Sequence, residues 1–302
     1  MLIAGLGMLA ALGLLALLGG SLVPLAGPWP GDMIAPFRPQ LIVAAMAGLG
    51  IAWAVRGRLV LAVAVAALLA NVAPVALRIS DRPVLSQTAA GEPVSIVFSN
   101  VLADNRDFAR VLELARAEDT ELFAAAETTA QWVAALDGLK DLYPHSLASP
   151  DLGVFGLVLY AKRPFAGAIE LVGQRQLPLL RAQFANMVVY VAHPMPPANA
   201  RMTEDNREYL AALAARVAGE TLPVIVAGDL NTTLWSANIA PLTALRMQWP
   251  MGSGLEYSWP DGRLWMGIQI DHVLTLGMKA GQFEVLDEVG SDHYPVRADL
   301  MM

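Results

Sequence analysis

From Met1 to Gly31 the chain carries no charged residue, and as far as Leu77 its only charges are Asp32, Arg38, Arg56 and Arg58. A segment so poor in charge is expected to lie in a bilayer, where about 20 apolar residues suffice for one helical crossing. Three apolar runs meet the description to different degrees. Leu2 to Ala26 is long enough to span. Gln40 to Val55 is short, with Pro39 at its head. Leu59 to Leu77 is adequate, and Pro74 is expected to bend its end. The link Arg56-Gly57-Arg58 is a tight basic turn, which the positive-inside rule assigns to the cytoplasm. Three crossings would then leave the rest of the chain outside the cytoplasm, which is the periplasm for a bacterial inner membrane. A signal peptide ending near Gly20 would lack the usual basic start and would leave two apolar runs unexplained. No ionisable residue sits in mid-span, so the segment reads as an anchor and offers no transport path.

The boundaries follow from the change in composition. Residues 1–79 are expected to form the transmembrane anchor of about three helices. Residues 80–93 read as a polar linker bearing proline and glycine, and residues 94–302 as one soluble domain of roughly 210 residues with a sizeable core. The formal net charge is -7, and Asp32 is the only acidic residue before residue 80. An acidic domain does not favour a polyanionic duplex, which is gripped chiefly by Lys and Arg. The chain has no cysteine, which excludes disulfides, thiolate metal sites and cysteine nucleophiles.

Within the soluble part, strand-like and helical patterns alternate. Val94–Phe98, Leu122–Ala126, Gly153–Tyr160, Met187–Ala192, Val224–Ala227, Ile270–Leu274 and Val296–Leu300 read as strands. Asp104–Glu118 and Glu204–Ala218 have apolar residues at helical spacing. Polar clusters follow several of the strands, which predicts a layered α/β domain with its site at strand ends.

Hydrolysis of a phosphoester needs a particular set of groups. A hard cation such as Mg²⁺ takes oxygen ligands and keeps several waters. A base must accept a proton from the attacking water, and histidine suits neutral pH. Further donors stabilise charge on the phosphoryl oxygens. The chain supplies Asn100, Glu127 and Asp292 as oxygen ligands, His293 as base, Asp271 to orient it, and His193 and Asn231 as donors to phosphate. Of the other histidines, His272 reads as a supporting or structural residue and His145 as a surface or loop residue. Gly228-Asp229-Leu230-Asn231 is good turn chemistry as well as a candidate site.

Taken in order, Asn100, Glu127, His193-Pro194, Gly228-Asp229-Leu230-Asn231, Ile270-Asp271-His272 and Ser291-Asp292-His293 resemble the successive motifs of the endonuclease/exonuclease/phosphatase (DNase I-like) superfamily. The resemblance covers about Val94 to Met302. It implies a four-layered α/β sandwich with Mg²⁺ or Mn²⁺ at the strand ends. It implies Glu127 as main metal ligand with Asn100 and Asp292 nearby, and His293 as general base paired with Asp271. Asp229 and Asn231 would position nucleophile and phosphate, and His193 would bind or protonate a phosphoryl oxygen. Tyr143-Pro144 and Ser258-Trp259-Pro260 look like landmarks that shape the site. The run Thr120-Glu121-Leu122-Phe123-Ala124-Ala125-Ala126-Glu127 lacks the glutamine frequent ahead of the family's glutamate, and His272 stands where an aromatic residue is frequent.

The expected function is therefore metal-dependent phosphoester hydrolysis at a membrane, on a lipid head group, a nucleotide or a nucleic acid. A nuclease would use the same machinery but calls for a basic groove with stacking aromatics. A non-catalytic membrane scaffold would be expected to have lost ligands, yet every expected position is filled. No protein partner is implied.

Overall fold

The computed structural model of the protein describes residues 15–16, 18–55, 58–80, 91–149, 153–250 and 256–302. In chain order its helices and strands are α1 (Pro28–Ile34), α2 (Arg38–Val55), α3 (Arg58–Ser80), β1 (Pro93–Asn100), α4 (Phe108–Glu118), β2 (Leu122–Ala126), α5 (Ala130–Leu136), β3 (His145–Ala148), β4 (Leu157–Ala161), β5 (Ala166–Val172), β6 (Leu177–Gln183), β7 (Val188–Ala192), α6 (Ala200–Gly219), β8 (Val224–Asp229), α7 (Ala240–Ala244), β9 (Asp271–Leu276), β10 (Lys279–Val285) and β11 (Val296–Met301).

The strands form two mixed sheets. The first has six strands in the order β10-β11-β1-β2-β4-β3, the second five in the order β5-β6-β7-β8-β9. Each sheet contains one parallel pair, β1 with β2 and β7 with β8. Side chains alternate across a strand, and that alternation divides the core. Ile96, Phe98, Leu122 and Leu159 meet Leu180, Val189, Val191 and Ile225 between the sheets. The intervening residues Val97, Phe123, Val158 and Tyr160 pack outward against Val111, Trp132 and Leu136 of α4 and α5. On the second sheet Val188, Tyr190 and Val226 face Tyr209, Leu213 and Val217 of α6. The result is four layers, helix, sheet, sheet, helix, as the resemblance implies. The alanines of β2 belong to this scheme, since all five of its residues are buried.

Local chemistry fixes the element ends. The side chain of Asn199 caps α6 by accepting from the Met202 amide at 3.0 Å. That helix starts before the expected Glu204. The helix expected from Asp104 starts instead at Phe108. Ahead of it, Asn105 bridges the carbonyls of Val101 and Val289. The strand expected from Gly153 begins at Leu157, after a single 3₁₀ turn over Gly153–Phe155. His145 lies on the short edge strand β3.

Two helices, Pro28–Ala54 and Arg58–Ser80, are long and apolar enough to cross a membrane. Many of their large side chains are bare, with Trp53 82% exposed. The second runs through Pro74 to Ser80 without a break. The run expected as a first span, Leu2–Ala26, lies mostly outside the described residues, as do Arg56, Gly57 and most of the expected linker. The part that is described reaches a turn after Gly20 and a 3₁₀ turn at Val23–Leu25. α2 and α3 pack as a hairpin, joined where Arg38 donates to the Ala70 carbonyl at 2.7 Å. The open end of that hairpin touches the sandwich. Gln40 donates to the Gly267 carbonyl at 2.8 Å and Arg78 to the Thr243 hydroxyl at 2.9 Å.

Candidate active site

Strand register gathers the site on one edge of the sandwich. Asn100 ends β1 beside Ala126, one residue before Glu127. Ala192 ends β7 beside Gly228, which places His193 next to Asp229. Asp229 pairs with Asp271 at the start of antiparallel β9. β11 runs antiparallel to β1, with Phe98 opposite Val296, so the preceding loop delivers His293 to the same edge. A glycine is required at 228, because a Cβ there would lie 2.0 Å from the Ala192 carbonyl oxygen.

Three non-glycine residues on this edge have left-handed backbones: Leu102 (φ 60°), Glu127 (φ 59°) and Asn231 (φ 52°). Such conformations are costly and persist where other contacts fix them. Here the contacts are local. Asn100 Oδ1 accepts from the Leu102 amide, Glu127 Oε2 from the Ala103 amide, and Asp229 Oδ1 from the Asn231 amide, at 3.1, 3.1 and 2.9 Å.

Asp229 is the hub. Its Oδ2 accepts from Asn100 Nδ2 at 3.1 Å and lies 3.5 Å from His193 Nε2 and 3.7 Å from His293 Nε2. The same Asn100 amide donates to Glu127 Oε1 at 3.0 Å, so one side chain bridges two carboxylates from different sheets. His293 Nδ1 lies 2.8 Å from Asp271 Oδ2. A carboxylate only accepts, so Nδ1 carries the proton and Nε2 is left for chemistry. Asn231 turns its amide to the Pro194 carbonyl at 3.0 Å. Asp292 is exposed and accepts from the Trp259 indole at 3.0 Å.

Burial and charge oppose each other here. Burial disfavours the Asp229 anion, yet the imidazoles of His293 and His193 outweigh it and hold its pKa at about 2. Burial also disfavours charge on His293, but Asp271 and Asp229 raise it to about 10. His193 follows the same pattern: burial lowers it, and Asp229 with Glu127 produces a net rise. Asp271 is raised, by burial first. His272 differs from these, since burial lowers it to about 4 while its Nε2 meets the Thr232 carbonyl oxygen at 2.8 Å. It is a neutral, hydrogen-bonded core residue.

The carboxylates of Glu127 and Asp229, with the Asn100 amide between them, form an oxygen-rich set that suits Mg²⁺ or Mn²⁺. Asp229, Asp271 and His293 also lie close enough to share an ion, with ligand atoms within 4.8 Å of one another. The short His293–Asp271 contact argues for a proton at that point, because a cation would have to displace it.

Glu127, His193, Asp229, Asn231 and His293 line one cleft of about 600 Å³. Tyr143 is buried under α4 and α5, whereas Trp259 lines the cleft. Ser258 and Ser291, named in the sequence as members of their motifs, support the site through backbone contacts, and Phe155 carried no sequence signal. Ser258 Oγ accepts from the amides of Ile270 and Asp271 at 3.2 and 3.1 Å, and Ser291 Oγ donates to the Asn100 carbonyl at 2.7 Å. Phe155 packs beside the His193 ring at 5.5 Å.

A sequence model of the endonuclease/exonuclease/phosphatase family matches residues 97–293. No curated protein matches the chain. Similar solved structures include an endonuclease/exonuclease/phosphatase from Beutenbergia cavernae DSM 12333, 19% identical, covering 70% of this chain and 72% of that one with a TM-score of 0.54. A humanized D. rerio TDP2 with 14 mutations is 16% identical, covering 70% of this chain and 99% of that one, TM-score 0.55. A functionally unknown conserved protein from Enterococcus faecalis V583 is 16% identical, covering 68% and 98%, TM-score 0.54. At these identities the likeness establishes a shared fold.

Proposed function

The chain belongs to the endonuclease/exonuclease/phosphatase family, and on that premise we propose that it is a divalent-cation-dependent phosphoesterase anchored to a membrane. The observation that carries the reading is the shared cleft: the buried His293–Asp271 pair, Asp229 and the Asn100–Glu127 pair all meet at one strand edge.

Glu127 is the principal ligand for Mg²⁺ or Mn²⁺, with Asn100 and Asp292 beside it. Such a cation would supply charge stabilisation at the phosphoryl oxygens. His293 Nε2 takes the proton of the attacking water. Asp271 holds the imidazole in the tautomer that leaves Nε2 free and stabilises the imidazolium that forms. Asp229 and Asn231 orient water and phosphate, and His193 donates to a phosphoryl oxygen. Asp271 and Asp229 raise the His293 pKa, and a cation held at Glu127 would lower it by repelling the imidazolium.

Anchoring rests on α2 and α3, whose exposed apolar faces are unsuited to water. The two helices form a hairpin with its open end at the sandwich. By the positive-inside rule, Arg56 and Arg58 between the two helices favour a catalytic domain on the outer face of a bacterial inner membrane. The domain division is anchor 1–79, linker 80–93 and catalytic domain 94–302.

The test is hydrolysis of bis-p-nitrophenyl phosphate and of p-nitrophenyl phosphate by the full chain with Mg²⁺, with Mn²⁺ and with EDTA. Turnover abolished by EDTA supports the reading, and the preferred ester separates diesterase from monoesterase. No turnover of either ester with either metal would count against it.

A further inference from the structure

The catalytic cleft is not built by the sandwich alone. Met33 of α1, with Pro36 and Phe37 of the turn before α2, lines the same space as Glu127, Asp229 and His293. The segment is fixed in place by specific contacts. Buried Asp32 pairs with Arg207 of α6 at 2.6 Å, and the Trp235 indole nitrogen donates to the carbonyls of Ala35 and Pro36 at 3.1 and 3.2 Å. Facing it, Phe155, Met195 and Met202 continue the apolar lining. Apart from Glu127, His193, Asp229, Asn231 and His293, the cleft is lined mainly by apolar side chains, which offer little to a sugar hydroxyl or a second phosphate. They offer apolar contact along a space larger than a phosphoryl group occupies.

A second feature lies outside this cleft. Leu264 and Trp265, in the turn Leu264–Met266, are 71% and 75% exposed. They share a surface groove with Pro39 and Val43 at the start of α2, a candidate membrane span. A bare Leu-Trp pair beside a spanning helix is suited to the bilayer interface, where Trp is enriched. It would seat the mouth of the catalytic domain against lipid.

We propose that the substrate is a phosphoester bearing a long aliphatic chain, taken from the bilayer surface. Its phosphate rests at Glu127, Asp229 and His293 and its chain lies along Met33, Phe37 and Phe155. The N-terminal segment is then part of the substrate site as well as an anchor. The inference rests on the phosphoesterase reading above. Water adds to phosphorus and the P–O bond to the leaving alcohol breaks. The water proton passes to His293 and solvent protonates the alcohol.

The experiment uses the full chain in lipid nanodiscs with Mn²⁺. Binding of non-hydrolysable alkylphosphonates, ethyl to octyl, is measured by calorimetry with empty nanodiscs subtracted, and turnover is measured on the matching alkyl p-nitrophenyl phosphates. Octyl is expected to exceed ethyl at least tenfold in both affinity and kcat/KM, because each buried methylene adds to binding. Phe37→Asp is expected to reduce that ratio to within about threefold, and Phe37→Ala, a milder change that keeps the fold, to reduce it in part. Equal handling of ethyl and octyl esters by the wild type would overturn the lipid inference and leave the phosphoesterase reading standing. A ratio unchanged in both variants would overturn the role of the N-terminal wall. Tight octylphosphonate binding with no turnover of any ester would overturn the phosphoesterase reading, and the substrate assignment with it.

Discussion

His293 Nδ1 lies 2.8 Å from Asp271 Oδ2, and both residues are buried. The pair joins the loop before β11 to the start of β9, and so ties the two sheets together at the point where chemistry is proposed. A buried imidazole with one nitrogen committed to a carboxylate has a defined tautomer, and its other nitrogen is directed at the cleft.

The charge of Asp271 raises the His293 pKa, and a base must be deprotonated to act. Activity is therefore expected to rise with pH as His293 loses its proton. In Asp271→Asn the raising charge is gone, so the ascending limb of the pH–rate profile is expected to move to lower pH. The plateau kcat is expected to fall about 10²–10⁴-fold, since the imidazole loses its orienting partner. A pH–rate profile of both proteins checks the shift and its sign.

The strands that carry the site were legible because they are buried on both faces. β2, β7 and β8 read as unbroken apolar runs that end in Glu, His and Asp. Of the strands not anticipated among the described residues, β6 has an apolar run interrupted by Pro178 and Arg181, and the others lack that signature. β5 is an edge strand with most of its residues exposed, β3 has four residues, and β10 contains Gly281 and a register shift between Ala280 and Phe283. The ordered polar motifs identified the edge where the site lies. They carried no information about Met33 and Phe37, whose approach to the cleft depends on an ion pair between residues 175 positions apart. Such tertiary contacts leave no local periodicity to read.

Asn100 bridges Glu127 and Asp229 with one amide, which separates two carboxylates. Asn100→Asp would place a third carboxylate in that space. Like charges held together destabilise the fold unless a cation neutralises them. In EDTA the variant is expected to melt several degrees below wild type, a cost of about 1–2 kcal/mol. Saturating Mn²⁺ is expected to raise its Tm more than it raises that of the wild type. Differential scanning calorimetry with and without metal gives the comparison.

Arg207 offsets the charge of buried Asp32, and the pair fastens the N-terminal segment to α6. Arg207→Ala leaves that carboxylate buried without its partner. Up to about 3 kcal/mol of local stability is expected to be lost, because an unpaired buried charge is costly. The loss should appear as faster amide hydrogen exchange over residues 28–37, with exchange across β1 and β8 unchanged.

The central claim assigns separate tasks to Glu127 and His293, metal holding to one and proton transfer to the other. The most direct measurement is turnover of bis-p-nitrophenyl phosphate by full-length wild type, His293→Ala and Glu127→Ala, alongside the Mn²⁺-induced change in Tm of each. We expect His293→Ala to lose at least about 10²-fold in kcat while keeping the metal-induced rise in Tm, and Glu127→Ala to lose both. A His293→Ala protein that turns over at the wild-type rate would contradict the account.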